Sequence, residues 1–328
     1  MSQKIRWGIL ATGTIAHKFA TTIAQMDDGR ETAAVASRSL EKARAFADEF
    51  GIPKAYGSYE ELVSDPEIDI VYIATPHSEH ANNMKLCLEH GKHVLCEKPF
   101  TVNADEAVEI FDLAKQKNLF AMEAFWTKFA PVYRDMERVI ASGEIGELRS
   151  INAQFGYTTP ERAGRKFDPS LAGGALLDVG VYTLGFAAMF LGYFPQRILS
   201  ALSKNDLGTD DLASVLLEYE NGQTAQLTSA IQTVMPVWGE VFGSAGRIEV
   251  KDFKCPQSIR VIPNGKDPYT IERPIEINGF EYEIYEAENC VKNGEQQSKI
   301  MTPENTIAVM HMMDQVRRDN RMFYPTEK

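Results

Sequence analysis

Apolar residues in the first third of the chain follow two rhythms. Short, largely apolar runs, KIRWGILA (4–11), ETAAVAS (31–37), IDIVYIAT (68–75), HVLC (93–96) and LFAMEAF (119–125), predict strands. Between them, apolar positions return every three to four residues over 14–26, 39–51, about 78–90 and 104–117, which predicts helices, the second ended by Gly51. Strands with little polar alternation are covered on both faces, so this order predicts a doubly wound parallel sheet of the α/β class.

Beyond about residue 124 the grammar changes. Two strand-like runs flank Asn221-Gly222, a hairpin signal because both residues tolerate positive φ, and further runs follow at VWGEVFGSAGRIEV and IRVIPN. This predicts a second α/β domain built on a large, mostly antiparallel sheet. GGALLDVGVYTLGFAAMFLG (173–192) has helical spacing and is expected to pack on it. A closing helix is expected over Pro303 to Arg318, with His311 structural. The expected domains are 1–123, for binding a dinucleotide, and 124–328, for substrate and dimerisation.

Charge and cysteine usage narrow the partners. The 34 Lys and Arg against 46 Asp and Glu leave a formal charge of −12, which disfavours nucleic acid or an anionic membrane as a main partner. A hydrophobic content of 44% over 328 residues supports a substantial core. Cys87, Cys96, Cys255 and Cys290 are scattered and form no C-x-x-C, which reads as reduced thiols in a cytoplasmic protein. Lys4 and Arg6 before WGILA imitate the start of a signal peptide, but the short apolar run passes straight into GTIAHK and is better explained as a strand. No uninterrupted apolar run reaches the length of about 18 residues that a spanning helix needs.

Candidate chemistry begins where the first strand meets the first helix. Ala11-Thr12-Gly13-Thr14-Ile15-Ala16 supplies small residues where a backbone could approach a pyrophosphate seated on the helix N-terminus. Only the middle position is glycine. At the end of the second strand, Ser37-Arg38-Ser39 with Lys42 replaces the acidic residue that usually holds a free ribose 2′-hydroxyl, favouring NADP(H) over NAD(H). Alternatively, Ser39 simply caps the next helix and Arg38 is solvated.

Glu97-Lys98-Pro99 directly follows a strand whose C-terminal end points toward the crevice where open α/β sheets bind ligands. Pro99 restricts Lys98 toward extended conformations. Farther along, Gly173-Gly174-Ala175-x-x-Asp178-x-Gly180-x-Tyr182 places Asp178 and Tyr182 four residues apart, on one face of a helix. An ammonium, a carboxylate and a phenol beside a nicotinamide make a proton-transfer set for an alcohol carbon that gives up hydride. The bland alternative is an acid near a helix start and a half-buried tyrosine.

These stretches, with Thr75-Pro76-His77-x-x-His80, resemble the glucose-fructose oxidoreductase/inositol dehydrogenase/MocA family over essentially the whole chain. MEAFWTKFAP (122–131) and FDPSLAGGALLDVGVYTLG (167–185) are similar to the branch containing dimeric dihydrodiol dehydrogenase and NADP-dependent D-xylose dehydrogenase. The resemblance implies a Rossmann domain and an open-sheet domain that mediates a homodimer. It also implies Lys98 contacting nicotinamide ribose and substrate, and Tyr182 exchanging the proton with Asp178 assisting. Thr75, Pro76, His77 and Glu97 join Ala11–Ile15, Ser37, Arg38 and Lys42 as cofactor-side candidates. Trp126, Phe129, Arg165 and Phe167 are candidates on the substrate side, Trp126 and Phe129 standing equally as core. Inositol dehydrogenases carry histidine where this chain has Tyr182, which argues against inositol. No metal is expected, since His77 and His80 lack a third ligand nearby. The expected activity is NADP(H)-dependent hydride transfer at a hydroxyl-bearing carbon of a sugar, polyol or cyclic diol. The rivals are a glycosidase that retains its nicotinamide and a non-catalytic sensor on the same fold.

Overall fold

The structure is a computed structural model that describes residues 4–26 and 29–327. Its first sheet contains β1 (Ile5–Leu10), β2 (Arg30–Ala36), β3 (Lys54–Tyr56), β4 (Ile70–Ile73), β5 (His93–Glu97) and β6 (Ala121–Ala124), in the order β3-β2-β1-β4-β5-β6. Every neighbouring pair is parallel. The connections carry α1 (Thr14–Gln25), α2 (Leu40–Phe50), α3 (Tyr59–Val63), α4 (His80–Glu89) and α5 (Ala104–Lys117). β4 and β6 are buried at every position, which is why their sequences show no polar alternation. Gly51 ends α2 at φ +66, a conformation that a side chain would strain.

After α6 (Val132–Ala141), the second sheet contains β7 (Leu148–Thr158), β8 (Arg197–Lys204), β9 (Asp210–Glu218), β10 (Thr224–Ala230), β11 (Gln232–Gly243), β12 (Gly246–Lys251), β13 (Ser258–Pro263) and β14 (Tyr269–Glu272). Their order is β14-β13-β12-β11-β7-β10-β9-β8, antiparallel except where β10 runs parallel to β7. The Asn221-Gly222 turn joins β9 to β10 as expected, with Gly222 at φ +80. The expected uniform helix over 173–192 differs in its first half: a π-turn, Leu176–Gly180, precedes α7 (Val181–Leu191). A wider turn places residues four apart less directly above one another than an α-helix does.

Two compact units emerge, residues 1–125 with 277–306, and residues 126–276 with 307–328. The expected continuous domain 124–328 differs from this division. Residues of α8 (Phe280–Lys292) pack with the first unit because Glu288 accepts hydrogen bonds from the Trp7 indole (3.0 Å) and the Arg30 guanidinium (2.8 Å). The chain ends in α9 (Pro303–Asp319) and a short C-terminal segment. Although Asp178 interrupts its apolar run, one helical stretch among the described residues, Pro169–Leu191, is long and apolar enough by length and composition to cross a membrane; 83% of its most apolar window is buried. Its apolarity therefore serves the core of the second unit.

Candidate active site

In the first unit, β1, β4 and β5 are adjacent and parallel, so the residues that follow them share one edge of the sheet. That edge gathers Ala11–Ile15, Thr75–His77 and Glu97–Lys98. Ala11 adopts φ +81, a left-handed conformation normally given to glycine. Gly13, Thr14 and Ile15 are exposed, and α1 starts without a side-chain cap. A Cβ built on Gly13 would meet no protein atom within 4 Å, so the protein's own packing does not require glycine there. Open space before uncapped helix amides suits a pyrophosphate. Lys42 lines the same groove as Thr12 and Gly13, and Arg38 is exposed at the end of β2. Ser39 caps α2 by accepting the Lys42 N–H (3.4 Å), while the buried Ser37 hydroxyl accepts the Ser39 N–H (3.3 Å).

The β4 and β5 ends are tied together. The His80 ring, fully buried, sets Nδ1 2.8 Å from the Pro99 carbonyl oxygen and Nε2 2.9 Å from that of Thr75. Thr75 Oγ1 accepts from the Asn83 amide (3.0 Å); Pro76 is half-buried, and His77 is buried beside His80 with ring centroids 5.8 Å apart. Lys98 is half-buried, and the Lys98-Pro99 peptide is cis. Glu97 departs from the cofactor role expected of it. Its buried carboxylate accepts from the Tyr72 hydroxyl (2.5 Å) and the Lys98 N–H (3.2 Å), so it faces the interior and fixes the loop. Burial holds the Glu97 carboxyl above its usual range.

Composition gave no signal for two further buried acids in this unit. Glu123 accepts from the Phe100 N–H (3.2 Å) and the Thr306 hydroxyl (2.9 Å), and burial pushes it up to about 7. Glu283, 0% exposed, has neither carboxylate oxygen hydrogen-bonded among the described residues; burial first, then Glu97, hold it well above the ordinary range.

In the second unit, the Tyr182 hydroxyl accepts the Trp126 indole N–H at 2.9 Å, and both residues are buried. An indole N–H only donates, so the phenol's own proton is directed away from Trp126. Trp126 thus supports Tyr182. Asp178 is also buried: its Oδ2 accepts from Tyr157 (2.5 Å), and its Oδ1 lies 3.3 and 3.4 Å from the Arg165 guanidinium nitrogens. Tyr157 escaped the sequence reading because strand alternation in QFGYTT does not say what a tyrosine meets. Its phenol is held above its usual range by burial and then by Asp178, and the Lys166 ammonium sits 4.2 Å from its ring centroid. Phe129 is buried. Phe167, expected on the substrate side, instead packs in an apolar cluster with Ala175, Val179 and Ile231, with Phe155 and Tyr157 against it. A phenyl ring gains most from such burial, which places Phe167 in the support of the Asp178 segment.

Residues 5–125 match the family described as "Oxidoreductase family, NAD-binding Rossmann fold", and residues 133–249 match the GFO/IDH/MocA C-terminal domain. The chain belongs to the GFO/IDH/MocA oxidoreductase family. It is 36% identical over 334 residues to trans-1,2-dihydrobenzene-1,2-diol dehydrogenase of Xenopus laevis, covering 98% of this chain and 99% of that one. The Homo sapiens protein of the same name is 34% identical over 332 residues, covering 99% of each. Among solved structures, KijD10, a 3-ketoreductase from Actinomadura kijaniata crystallised with NADP and TDP-benzene, superposes with a TM-score of 0.89 at 27% identity, over 98% of this chain and 100% of that one. This GFO/IDH/MocA member is an oxidoreductase of a family acting on CH–OH groups, with an NAD(P)-binding Rossmann domain.

Proposed function

We propose that this protein oxidises a secondary alcohol of a sugar, polyol or cyclic diol, or reduces the corresponding ketone, with NADP(H). The nicotinamide, when bound, takes or gives the hydride. The small residues of Ala11–Ile15 and the open amides of α1 would hold the pyrophosphate, and Ser37, Arg38 and Lys42 the 2′-phosphate. On reduction, the carbonyl carbon gains the hydride as the Tyr182 hydroxyl gives its proton to the carbonyl oxygen; on oxidation, the substrate C–H bond breaks as hydride leaves and the deprotonated Tyr182 oxygen takes the hydroxyl proton. Lys98 orients the substrate hydroxyl. Asp178, fastened by Tyr157 and Arg165, assists Tyr182. The observation that carries this reading is the Trp126–Tyr182 hydrogen bond, which fixes a buried phenol with its own proton aimed elsewhere.

The names of the relatives support a diol and the solved 3-ketoreductase supports NADP. The proposal includes a cytoplasmic homodimer formed through the eight-stranded sheet, where Val234 is 78% exposed; light scattering tests the dimer. The direct test incubates the protein with aldoses, polyols and cyclic diols and either NADP⁺ or NAD⁺, following reduced-nicotinamide absorbance. At least one alcohol should give turnover with NADP⁺ favoured, and Tyr182→Phe should lower kcat by roughly 10² to 10⁴ while leaving NADP⁺ binding intact. Better use of NAD⁺ would overturn the assignment of Ser37, Arg38 and Lys42, and an undiminished Tyr182→Phe would overturn that of Tyr182.

A further inference from the structure

The segment carrying Asp178 and Tyr182 starts at a turn gripped from several sides. Asp210, at the head of β9, accepts the Leu176 N–H through Oδ2 at 2.8 Å. The Tyr324 hydroxyl donates to the Gly173 carbonyl at 2.7 Å, and the Gly174 N–H to the Lys166 carbonyl at 2.8 Å. Gly174 stands at φ +121, and a Cβ there would lie 2.1 Å from Asp210 Oδ1, so glycine and carboxylate interlock. The Gly173-Gly174 pair thus serves this acid.

Asp210 is 0% exposed, and its Oδ1 has no hydrogen-bond partner among the described residues. The charged or titratable groups acting on it are Asp211 from β9, Arg317 from α9 and Tyr324 from the C-terminal segment. Arg317 meanwhile ion-pairs with Asp314 and Glu327, each at 2.6 Å. A buried carboxylate with one idle oxygen is costly for folding. Burial accordingly raises Asp210 to about 7. Such a group, kept at the foot of a functional segment, marks a position where stability yields to placement.

We propose that Asp210 is a positioning residue that, through the Leu176 N–H, fixes the first turn of the π segment and thereby sets where Asp178 and Tyr182 stand. The inference rests on the reading of those two as the proton-handling pair.

Two variants of the full chain test it: Asp210→Asn keeps an acceptor but removes the charge, and Asp210→Ala removes both. Leu176 amide hydrogen exchange, the thermal midpoint, and kcat and KM from pH 5 to 9 are measured. In Asp210→Ala, Leu176 should exchange about tenfold faster and kcat should fall about tenfold, with the KM for NADP⁺ unchanged, as for a lost buried hydrogen bond. The native kcat should fall as pH drops through about 7, where Asp210 takes up a proton; in Asp210→Asn that fall should be absent, while the midpoint at pH 8 should hold or rise. Native Leu176 exchange together with a native kcat–pH profile in both variants would overturn the role. Should the native protein oxidise no alcohol, the oxidoreductase assignment of the site fails by itself. Leu176 exchange still decides the anchoring: faster exchange upholds it, unchanged exchange overturns it.

Discussion

Ala11 shows how a residue that breaks a motif can still keep its geometry. At φ +81 it pays the left-handed strain of an L-residue, roughly 1–2 kcal/mol, against the roughly 0.5–1 kcal/mol of extra chain entropy that glycine loses on folding. Ala11→Gly should therefore stabilise the protein by up to about 1 kcal/mol, read as a raised urea midpoint with unchanged m; a lowered midpoint would contradict this account. The smallness of Ala11, Thr12 and Gly13 was legible in the sequence because close backbone approach demands small side chains. The position of Lys98 after a strand was legible for the same local reason. Phe167 and Glu97 were not: an aromatic or an acid near a motif reads as a ligand contact, and only packing reveals that one fills a cluster and the other turns inward to Tyr72.

Among elements, α8 is the one whose membership sequence order misassigned. Glu288, 1% exposed at its side chain, receives both the Trp7 indole and the Arg30 guanidinium, and Lys18 lies 4.1 Å from the Phe280 ring centroid. Glu288→Ala would remove the carboxylate that accepts from both the buried Arg30 guanidinium and the Trp7 indole. It should cost about 3–5 kcal/mol, measured by chemical unfolding, whereas Lys299→Ala on an exposed i,i+4 pair should leave the unfolding midpoint unchanged. Comparable losses in the two variants would show that the Glu288 cluster does not hold α8. Helix and strand periodicities placed most elements of the first sheet and the strands β9–β13 because each reports its own burial, but they left α6, β7, β8, β14 and α8 unassigned. They were silent on the π-turn, which Gly180 accompanies: a Cβ there would lie 3.0 Å from Ser229 Oγ. They were equally silent on the partner of α8, since contacts across some 280 residues leave no local pattern.

At the scale of the whole molecule, the buried acids set the pH response. Glu123 and Asp210 are raised to about 7 in the fold, and Glu97 and Glu283 are raised as well, all chiefly by burial. An acid whose folded pKa lies above its unfolded value contributes full stability below the unfolded value and loses it as pH rises through the folded one. His93, lowered by burial, acts oppositely, its cost growing as pH falls below 6.5. The thermal midpoint at constant ionic strength should therefore drop between pH 6 and 8, by roughly 2 °C or more; a rise across that window would refute the assignment of these carboxyls. By itself the sequence determined the two-part α/β architecture, the alternating elements of the first sheet and the family, because hydrophobic period, turn glycines and short motifs are properties of neighbouring residues. Only the tertiary structure decided that Tyr157 and Arg165 hold Asp178, that Trp126 holds Tyr182, and that Asp210 grips Leu176. Those pairings depend on desolvation and distance between segments far apart in the chain, quantities that no linear pattern encodes.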